Sequence, residues 1–219
     1  MAEVDTDAAE RARQRDLVRR GYDKISRAYR DDSGAANPLT DQQTADYRPW
    51  TEELTRLLPS GARVLDLGCG CGLPATKQLV DAGFQVTGID LSEVQIQRAR
   101  ELVPGATFIQ ADMVDWEAPS QSFDAIVSFY ALIHVPLEDQ RALLPRIRRW
   151  LRNGGLFLAT FGNQRWTGTE EYLGGTMFWD HADAATYLEW LKASGFELLW
   201  NRFIPEGDSG HALILSRAK

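Results

Sequence analysis

A glycine-rich segment, Asp66–Gly72, follows a short apolar run and carries the clearest chemistry in the sequence. Its glycines stand at positions 68, 70 and 72. Glycine lets the chain turn sharply and lets a ligand approach the backbone. A dinucleotide site favours the spacing G-x-G-x-x-G, but here Leu73 occupies the position of the last glycine. The loop therefore indicates a nucleotide-like ligand and disfavours a nicotinamide cofactor.

Two acidic residues come where the next strands are expected to end. Asp90 lies 22 residues after Gly68, about the spacing at which a carboxylate meets a ribose diol. Asp112 is followed by Met113. A carboxylate there can accept a hydrogen bond from the exocyclic amine of adenine, while a thioether can pack against the ring. The pair of acids therefore indicates an adenosine-type ligand.

Short apolar runs alternate with amphipathic segments from residue 63 onward, which is typical of an α/β fold. We predict strands at residues 64–67, 84–89, 107–110, 123–129, 156–161, 197–203 and 212–216. We predict helices at residues 7–30, 41–58, 73–82, 92–103, 138–152 and 182–194. The pattern predicts a Rossmann-like, doubly wound, seven-stranded and mostly parallel sheet with extra N-terminal helices. Only a turn joins the last two strands, so they should pair antiparallel, and the last strand should run against the rest.

Local signals define the expected boundaries. Ser92 followed by Gln95 predicts a capping box, and residues 153–155, Asn-Gly-Gly, predict the end of a helix. We expect one domain over the chain, made of four parts: a helical cap at 1–58, a cofactor-binding core at 60–162, a substrate-side insert at 163–181, and a helix with a strand pair at 182–219.

Composition narrows the classes of function. The net charge is −7, which disfavours nucleic acid and anionic membranes as partners. No signal peptide and no apolar stretch of membrane-spanning length is recognisable, so we expect a cytoplasmic protein. Cys69 and Cys71 are too close for an ordinary disulfide, and no metal site is predicted. The arginines of the 138–152 helix are interpreted as a solvated face.

The ordered segments V-L-D-L-G-C-G-C-G, G-I-D-L-S, Q-A-D-M, F-D-A-I-V-S-F and L-R-N-G-G together resemble the class I S-adenosylmethionine-dependent methyltransferases. The nearest likeness is to the small-molecule group that includes the ubiquinone and menaquinone methylases. The resemblance covers about residues 60–162. It implies S-adenosylmethionine as the cofactor and a small-molecule acceptor.

The resemblance also implies roles for particular residues. The loop glycines would surround the methionine part of the cofactor, and Asp66 would orient the loop. Tyr22 and Tyr29, in the pattern Y-D-x-x-x-x-x-Y, would close over the cofactor carboxylate, although their shared helical face also suits core packing. The implied cofactor-binding residues are Tyr22, Tyr29, Asp66, Gly68, Gly70, Gly72, Asp90, Leu91, Asp112, Met113 and Phe129.

Methyl transfer is an in-line displacement that depends mainly on alignment and exclusion of water. A general base helps when the acceptor is a phenol or alcohol. His134 is the first candidate for this base, although it could instead have a purely structural role. Tyr130 is the second candidate. His181, with Arg165 beside the same insert, could bind or deprotonate the acceptor.

The insert at 163–181 carries Trp166, Tyr172, Phe178 and Trp179, so we expect an apolar or aromatic acceptor, unless these rings only cover the edge of the core. Oxygen is favoured as the methylated atom, ahead of sulfur and nitrogen. Two other functions stay open: an NAD(P)-dependent oxidoreductase on the same type of sheet, and a non-catalytic protein that binds S-adenosylmethionine. The oligomeric state is not predicted.

Overall fold

A computed structural model describes residues 2–33 and 47–219. The helices are α1 (Ala2–Tyr29), α2 (Arg48–Leu57), α3 (Ala75–Asp81), α4 (Glu93–Leu102), α5 (Leu137–Trp150) and α6 (Ala184–Ala193). The strands are β1 (Arg63–Leu67), β2 (Gln85–Asp90), β3 (Thr107–Gln110), β4 (Phe123–Ser128), β5 (Leu151–Gly162), β6 (Trp166–Tyr172), β7 (Gly175–His181), β8 (Phe196–Glu206) and β9 (Ser209–Ala218).

The main sheet has seven strands in the order β3-β2-β1-β4-β5-β9-β8. Strands β1 to β5 pair in parallel, whereas β9 pairs antiparallel with both β5 and β8. The predicted fold class is therefore confirmed, including the reversed last strand. In the described ranges, no helix is long and apolar enough to cross a membrane.

Helix α5 ends earlier than the sequence predicts. Leu151 already pairs with Phe123 as the first residue of β5, so Asn153, Gly154 and Gly155 lie inside a strand. Leu151 is completely buried, and this burial draws the chain into the sheet before the glycines are reached. The glycines instead accompany a register shift in the pairing of β4 with β5, where Gly154 adopts a positive φ of 79°.

Several other elements differ from the predictions. The insert at 163–181 is an antiparallel hairpin, β6–β7, which forms a second sheet of its own. Of the predicted second helix, only the part from Arg48 onward is described, and residues 41–46 lie outside the described residues together with most of the preceding loop. Helix α3 begins at Ala75 and α6 at Ala184, two residues later than predicted.

The predicted capping box at α4 forms only in part. The Ser92 hydroxyl accepts a hydrogen bond from the Gln95 backbone N–H at 3.1 Å. The Gln95 side chain does not complete the box, because its Oε1 accepts a hydrogen bond from the Ser26 hydroxyl at 2.7 Å. This side chain therefore ties α4 to α1 rather than to its own cap.

The core fills both faces of the sheet. One face buries Trp150, Phe157 and Tyr187 beneath α5 and α6. The opposite face buries Trp50, Leu54 and other side chains beneath α2 and α3. Both faces are covered, as the long apolar runs of β1, β4 and β5 require. The loops at the carboxyl edge of the sheet are thereby held on rigid elements.

Helix α1 lies across that edge and packs closely against β7. A Cβ atom at Gly21 would lie 2.5 Å from Met177 Sδ, and one at Gly175 would lie 2.9 Å from Ile25 Cγ2. Both contacts are closer than a side chain permits, so only glycine allows the two elements to approach this far. Helix and hairpin therefore form one tightly packed cover.

Candidate functional site

The glycine loop leaves β1 and forms the floor of a cavity at the carboxyl edge of the sheet. Gly68 and Gly70 have φ values of 75° and 55°, which glycine adopts without strain. The Gly68 and Cys69 amides donate to the Ile89 carbonyl at 2.8 and 3.0 Å, so the loop is fastened to β2.

The cavity spans about 720 Å³ when its open mouth is counted, of which the centres of water-sized molecules can occupy about 100 Å³. Its lining includes Tyr22, Tyr29, Gly68, Gly70, Asp90, Leu91, Asp112, Met113, Phe129, Tyr130 and His134. These residues come from α1, the loop and the ends of several strands. Ligands of open α/β sheets bind at this edge.

Asp90 joins the loop to the start of α4. Its Oδ2 accepts a hydrogen bond from the Gly70 amide and its Oδ1 accepts one from the Ser92 amide, both at 2.9 Å. Desolvation by the surrounding protein raises the pKa of this carboxyl to about 6, although the two amides work against that rise. Each oxygen retains a second lone pair, so the carboxylate can still accept two hydroxyl hydrogens.

Asp66 is buried beneath the loop, with only 2% of its surface exposed. The Thr76 hydroxyl donates to its Oδ2 at 2.6 Å. Burial raises the pKa of this carboxyl to about 7, since the Thr76 hydrogen bond offsets only part of the desolvation. Asp66 lines a smaller neighbouring cavity together with Gly68, Gly70 and Arg30.

Asp112 is held by α1 as well as by its own loop. Its Oδ2 accepts a hydrogen bond from Arg15 Nε at 2.6 Å, and its Oδ1 accepts one from the Val114 amide at 2.9 Å. Arg15 also contacts Asp139 at 2.6 Å. The carboxylate that the sequence assigns to adenine is thus also the anchor of a helix that covers the cavity.

His134 lies at the other end of the cavity in a short 3₁₀ turn, with 6% of its surface exposed. Its Nδ1 lies 2.8 Å from the Phe178 carbonyl. A carbonyl can only accept, so Nδ1 carries the proton and Nε2 accepts from the Tyr22 hydroxyl at 3.0 Å. Burial lowers the pKa of this imidazole to about 4, which leaves it neutral at pH 7.

Three predicted site residues lie outside the main cavity. Gly72 packs against Val103 and Phe108, where an added Cβ would come within 3.0 and 3.3 Å of their side chains. Asp66 lines the neighbouring cavity described above. His181 lies in β7, and its Nδ1 is 2.6 Å from the Gln164 carbonyl. The structure therefore brings Tyr130 and His134 to the cavity but not His181.

Several lining residues were not predicted, most clearly Arg15, Arg19 and Gln95. Arg15 and Arg19 follow the same helical spacing as Tyr22 and Tyr29, so they share a face with them. That periodicity is readable in the sequence, whereas the acidic partners of the arginines are not. Gln95 was interpreted only as part of a cap.

Comparison with known proteins identifies the domain. Residues 64–155 match the family described as a methyltransferase domain. The chain is 33% identical over 177 residues to a sterol 24-C-methyltransferase of Gibberella zeae, which covers 69% of this chain and 44% of that protein. The chain spans less than half the length of the curated relatives that it matches.

Solved structures share the fold. A [4+2]-cyclase, SpnF, aligns with a TM-score of 0.70 and 22% identity, covering 91% of this chain and 94% of that one. An S-adenosylmethionine-dependent methyltransferase from Mesorhizobium loti aligns with a TM-score of 0.64 and 24% identity, covering 80% of this chain and 98% of that one. Residues 64–155 of this chain therefore form a methyltransferase domain of the class I S-adenosylmethionine-dependent type.

Proposed function

We propose that this protein transfers a methyl group from S-adenosylmethionine to a small-molecule acceptor. The observation that carries the proposal is Asp90, whose two oxygens are held by the Gly70 and Ser92 amides at the edge of the cavity. This arrangement presents a carboxylate to a ribose diol beside a loop that a ligand can approach closely.

The other lining residues fit the rest of the cofactor. We assign Met113 and Leu91 to the two sides of the adenine, and Asp112 to its amine through the lone pairs that Arg15 and Val114 leave free. Tyr29 and the loop glycines would surround the methionine part. The space beside Gly68 supports this assignment. A Cβ atom at Gly68 would lie 2.2 Å from Ala131 and would close the space between the glycine loop and the turn that carries Ala131.

When bound, the cofactor supplies an electrophilic sulfonium methyl group, and the protein must align the acceptor and exclude water. His134 is neutral, and both of its nitrogens are hydrogen-bonded within the protein. We therefore assign it a positioning role: it holds the Tyr22 hydroxyl at the cavity. Tyr130 stays protonated, since burial and the charge of Glu206 raise its pKa.

The acceptor must then arrive in a nucleophilic form or ionise easily. We keep oxygen as the proposed methylated atom, in a phenol that is acidic enough to ionise without a base, and thiol sulfur and amine nitrogen, which depend less on a base, are further acceptors. Phe129 and Tyr130 line this end of the cavity, whereas the aromatic rings of the 163–181 insert lie outside its lining. Trp179 packs against the His134 ring instead, with 5.3 Å between the ring centroids. An apolar or aromatic acceptor fits such a lining.

A nicotinamide-dependent oxidoreductase and a non-catalytic binding protein remain the alternatives. Calorimetry with S-adenosylhomocysteine and, separately, with NADH distinguishes the first: we expect binding of S-adenosylhomocysteine alone. Binding of NADH alone would overturn the proposal. Transfer of a labelled methyl group to any member of a panel of phenols, thiols and amines excludes the second, whereas cofactor binding without transfer to any acceptor would favour it.

A further inference from the structure

A second group of polar side chains lies behind Tyr130, at the tip of the β8–β9 hairpin. Because β9 runs antiparallel to β5, its first residues reach the carboxyl edge of the sheet, where His211 pairs with Gly162. Glu206 stands two residue pairs further along the same hairpin, opposite Ser209. The hairpin thus delivers an acid and an imidazole to the edge that carries the cavity.

Three buried polar atoms lie close together here: the Tyr130 hydroxyl, Glu206 Oε1 and His211 Nδ1. None of them makes a well-aligned hydrogen bond, although the Tyr130 hydroxyl lies within hydrogen-bonding reach of Glu206. Tyr130 is 2% exposed and Glu206 is 7% exposed. His211 Nδ1 lies 3.1 Å from Glu206 Oε2, so the imidazole and the carboxylate face each other. Buried polar atoms without well-aligned partners are unfavourable, so the group is better suited to a ligand than to an empty core.

Contacts connect this group to the cavity. The Tyr130 ring lies 5.1 Å from the His211 ring, and Tyr130 itself lines the cavity. The charge of Glu206 also contributes to the raised pKa of Tyr29, which lines the same cavity, although burial is the main cause. Glu206 is therefore close to two residues of the cavity wall.

We propose that Tyr130, Glu206 and His211 form the polar end of the acceptor site and bind a protonated amine of the substrate; this inference rests on the proposed function. Two of the three N–H bonds of a primary ammonium match Glu206 Oε1 and the Tyr130 hydroxyl oxygen, while His211 Nδ1 faces Glu206 Oε2 at 3.1 Å and holds the carboxylate in place. The aromatic ring of Tyr130 beside Glu206 also favours a cation. A carboxylate in the same place would meet the charge of Glu206 and is rejected.

Three phenols that differ only in their tail group test the inference: tyramine, tyrosol and 3-(4-hydroxyphenyl)propionate. We expect calorimetry on protein saturated with S-adenosylhomocysteine to show tyramine binding at least tenfold more tightly than the propionate, with tyrosol between them. The substitution E206Q should reduce this preference to less than threefold, without changing the affinity for S-adenosylhomocysteine. The substitution Tyr130→Phe should weaken tyramine binding several-fold and keep the order of the three ligands.

The matched control is E197Q, which makes the same change at an exposed position on the same strand and should keep the full preference. Equal binding of tyramine and the propionate, no binding of tyramine at millimolar concentration, or an unchanged preference in folded E206Q would each overturn the inference. The titrations are repeated without S-adenosylhomocysteine, so that the amine preference is measured independently of the cofactor. If the protein does not bind S-adenosylhomocysteine, the proposed function is wrong, but the amine preference still tests the inference.

Discussion

The two ends of the cavity are built differently. At the adenosine end, backbone amides and an arginine anchor the carboxylates. At the acceptor end, two hairpins bring buried rings and unpaired polar atoms together. Asp90 is the last residue of β2, and Asp112 lies just beyond the end of β3 in the parallel sheet. Tyr130, His134 and Glu206 depend on contacts with β7, β8 and β9. The first end is fixed by local chain geometry, and the second by long-range packing.

Replacing Asp66 tests how much the adenosine end depends on a buried acid. In wild type, the unfolded chain loses this proton above about pH 4 while the native state keeps it up to about 7. The free energy of unfolding therefore falls as the pH rises through this range, and Asp66→Asn should remove that loss. At about 1.4 kcal/mol per pH unit, the difference in unfolding free energy between D66N and wild type should shift by about 4 kcal/mol in favour of D66N between pH 4 and 7.

Urea unfolding at several pH values measures this difference. Asp81→Asn is the matched control, since it makes the same change on a side chain that is 58% exposed at the end of α3. A difference between D66N and wild type that does not depend on pH would contradict the assignment.

Removing the Asp90 carboxylate should have the next largest effect. Asp90→Ala leaves the Gly70 and Ser92 amides without their acceptor and removes the partner of the ribose. Each charge-assisted hydrogen bond contributes about 1.5–3 kcal/mol, so we expect about 100-fold weaker binding of S-adenosylhomocysteine by calorimetry. Asp208→Ala, at the exposed β8–β9 turn, should bind as wild type does. Unchanged affinity in D90A would refute the ribose assignment.

The anchor of α1 can be released by Arg15→Gln. Arg15 contacts both Asp112 and Asp139, and its side chain is 13% exposed. Breaking a largely buried ion pair from one side is strongly destabilising, and we expect a loss of about 2 kcal/mol in unfolding free energy, with weaker cofactor binding. Arg13→Gln changes an exposed arginine of the same helix, 66% exposed in its side chain, and should have little effect. Equal stability of the two variants would show that the anchor contributes nothing.

The smallest effect is expected at the acceptor end, from the pair His134 and Tyr22. If His134 only positions Tyr22, then H134Q and Tyr22→Phe should each slow methyl transfer by less than about tenfold, and the double variant should be no slower than the single ones. The pH–rate profile should keep its shape. A much larger loss in H134Q, with the acidic limb of the profile removed, would instead identify His134 as the general base.

The contrast between the two ends also explains what the sequence could predict. The alternation of strands and helices, the Ser92 cap and the acids after β2 and β3 are local patterns, and the structure places them as expected. The hairpin contacts are not local. Nothing in the turn around Gly207 indicates that Glu206 meets Tyr130, because that meeting depends on β9 pairing with β5.

The mistaken helix end at residues 153–155 has a similar cause. A glycine pair after a helical pattern usually marks a cap, but the burial of Leu151 against β4 outweighs that local preference. For Arg15, the sequence predicts the helical face on which it lies but not the acids that it contacts. Its two acids lie 97 and 124 residues further along the chain.

The close contact of Gly21 with Met177 affects the exchange of both ligands. Helix α1 covers the adenosine end, and β7 carries the rings and the carbonyl that border the acceptor end. Since the two elements pack too closely to slide past each other, any movement that admits the cofactor also disturbs the acceptor end. We therefore expect cofactor exchange and acceptor binding to depend on the same movement of α1 and β7.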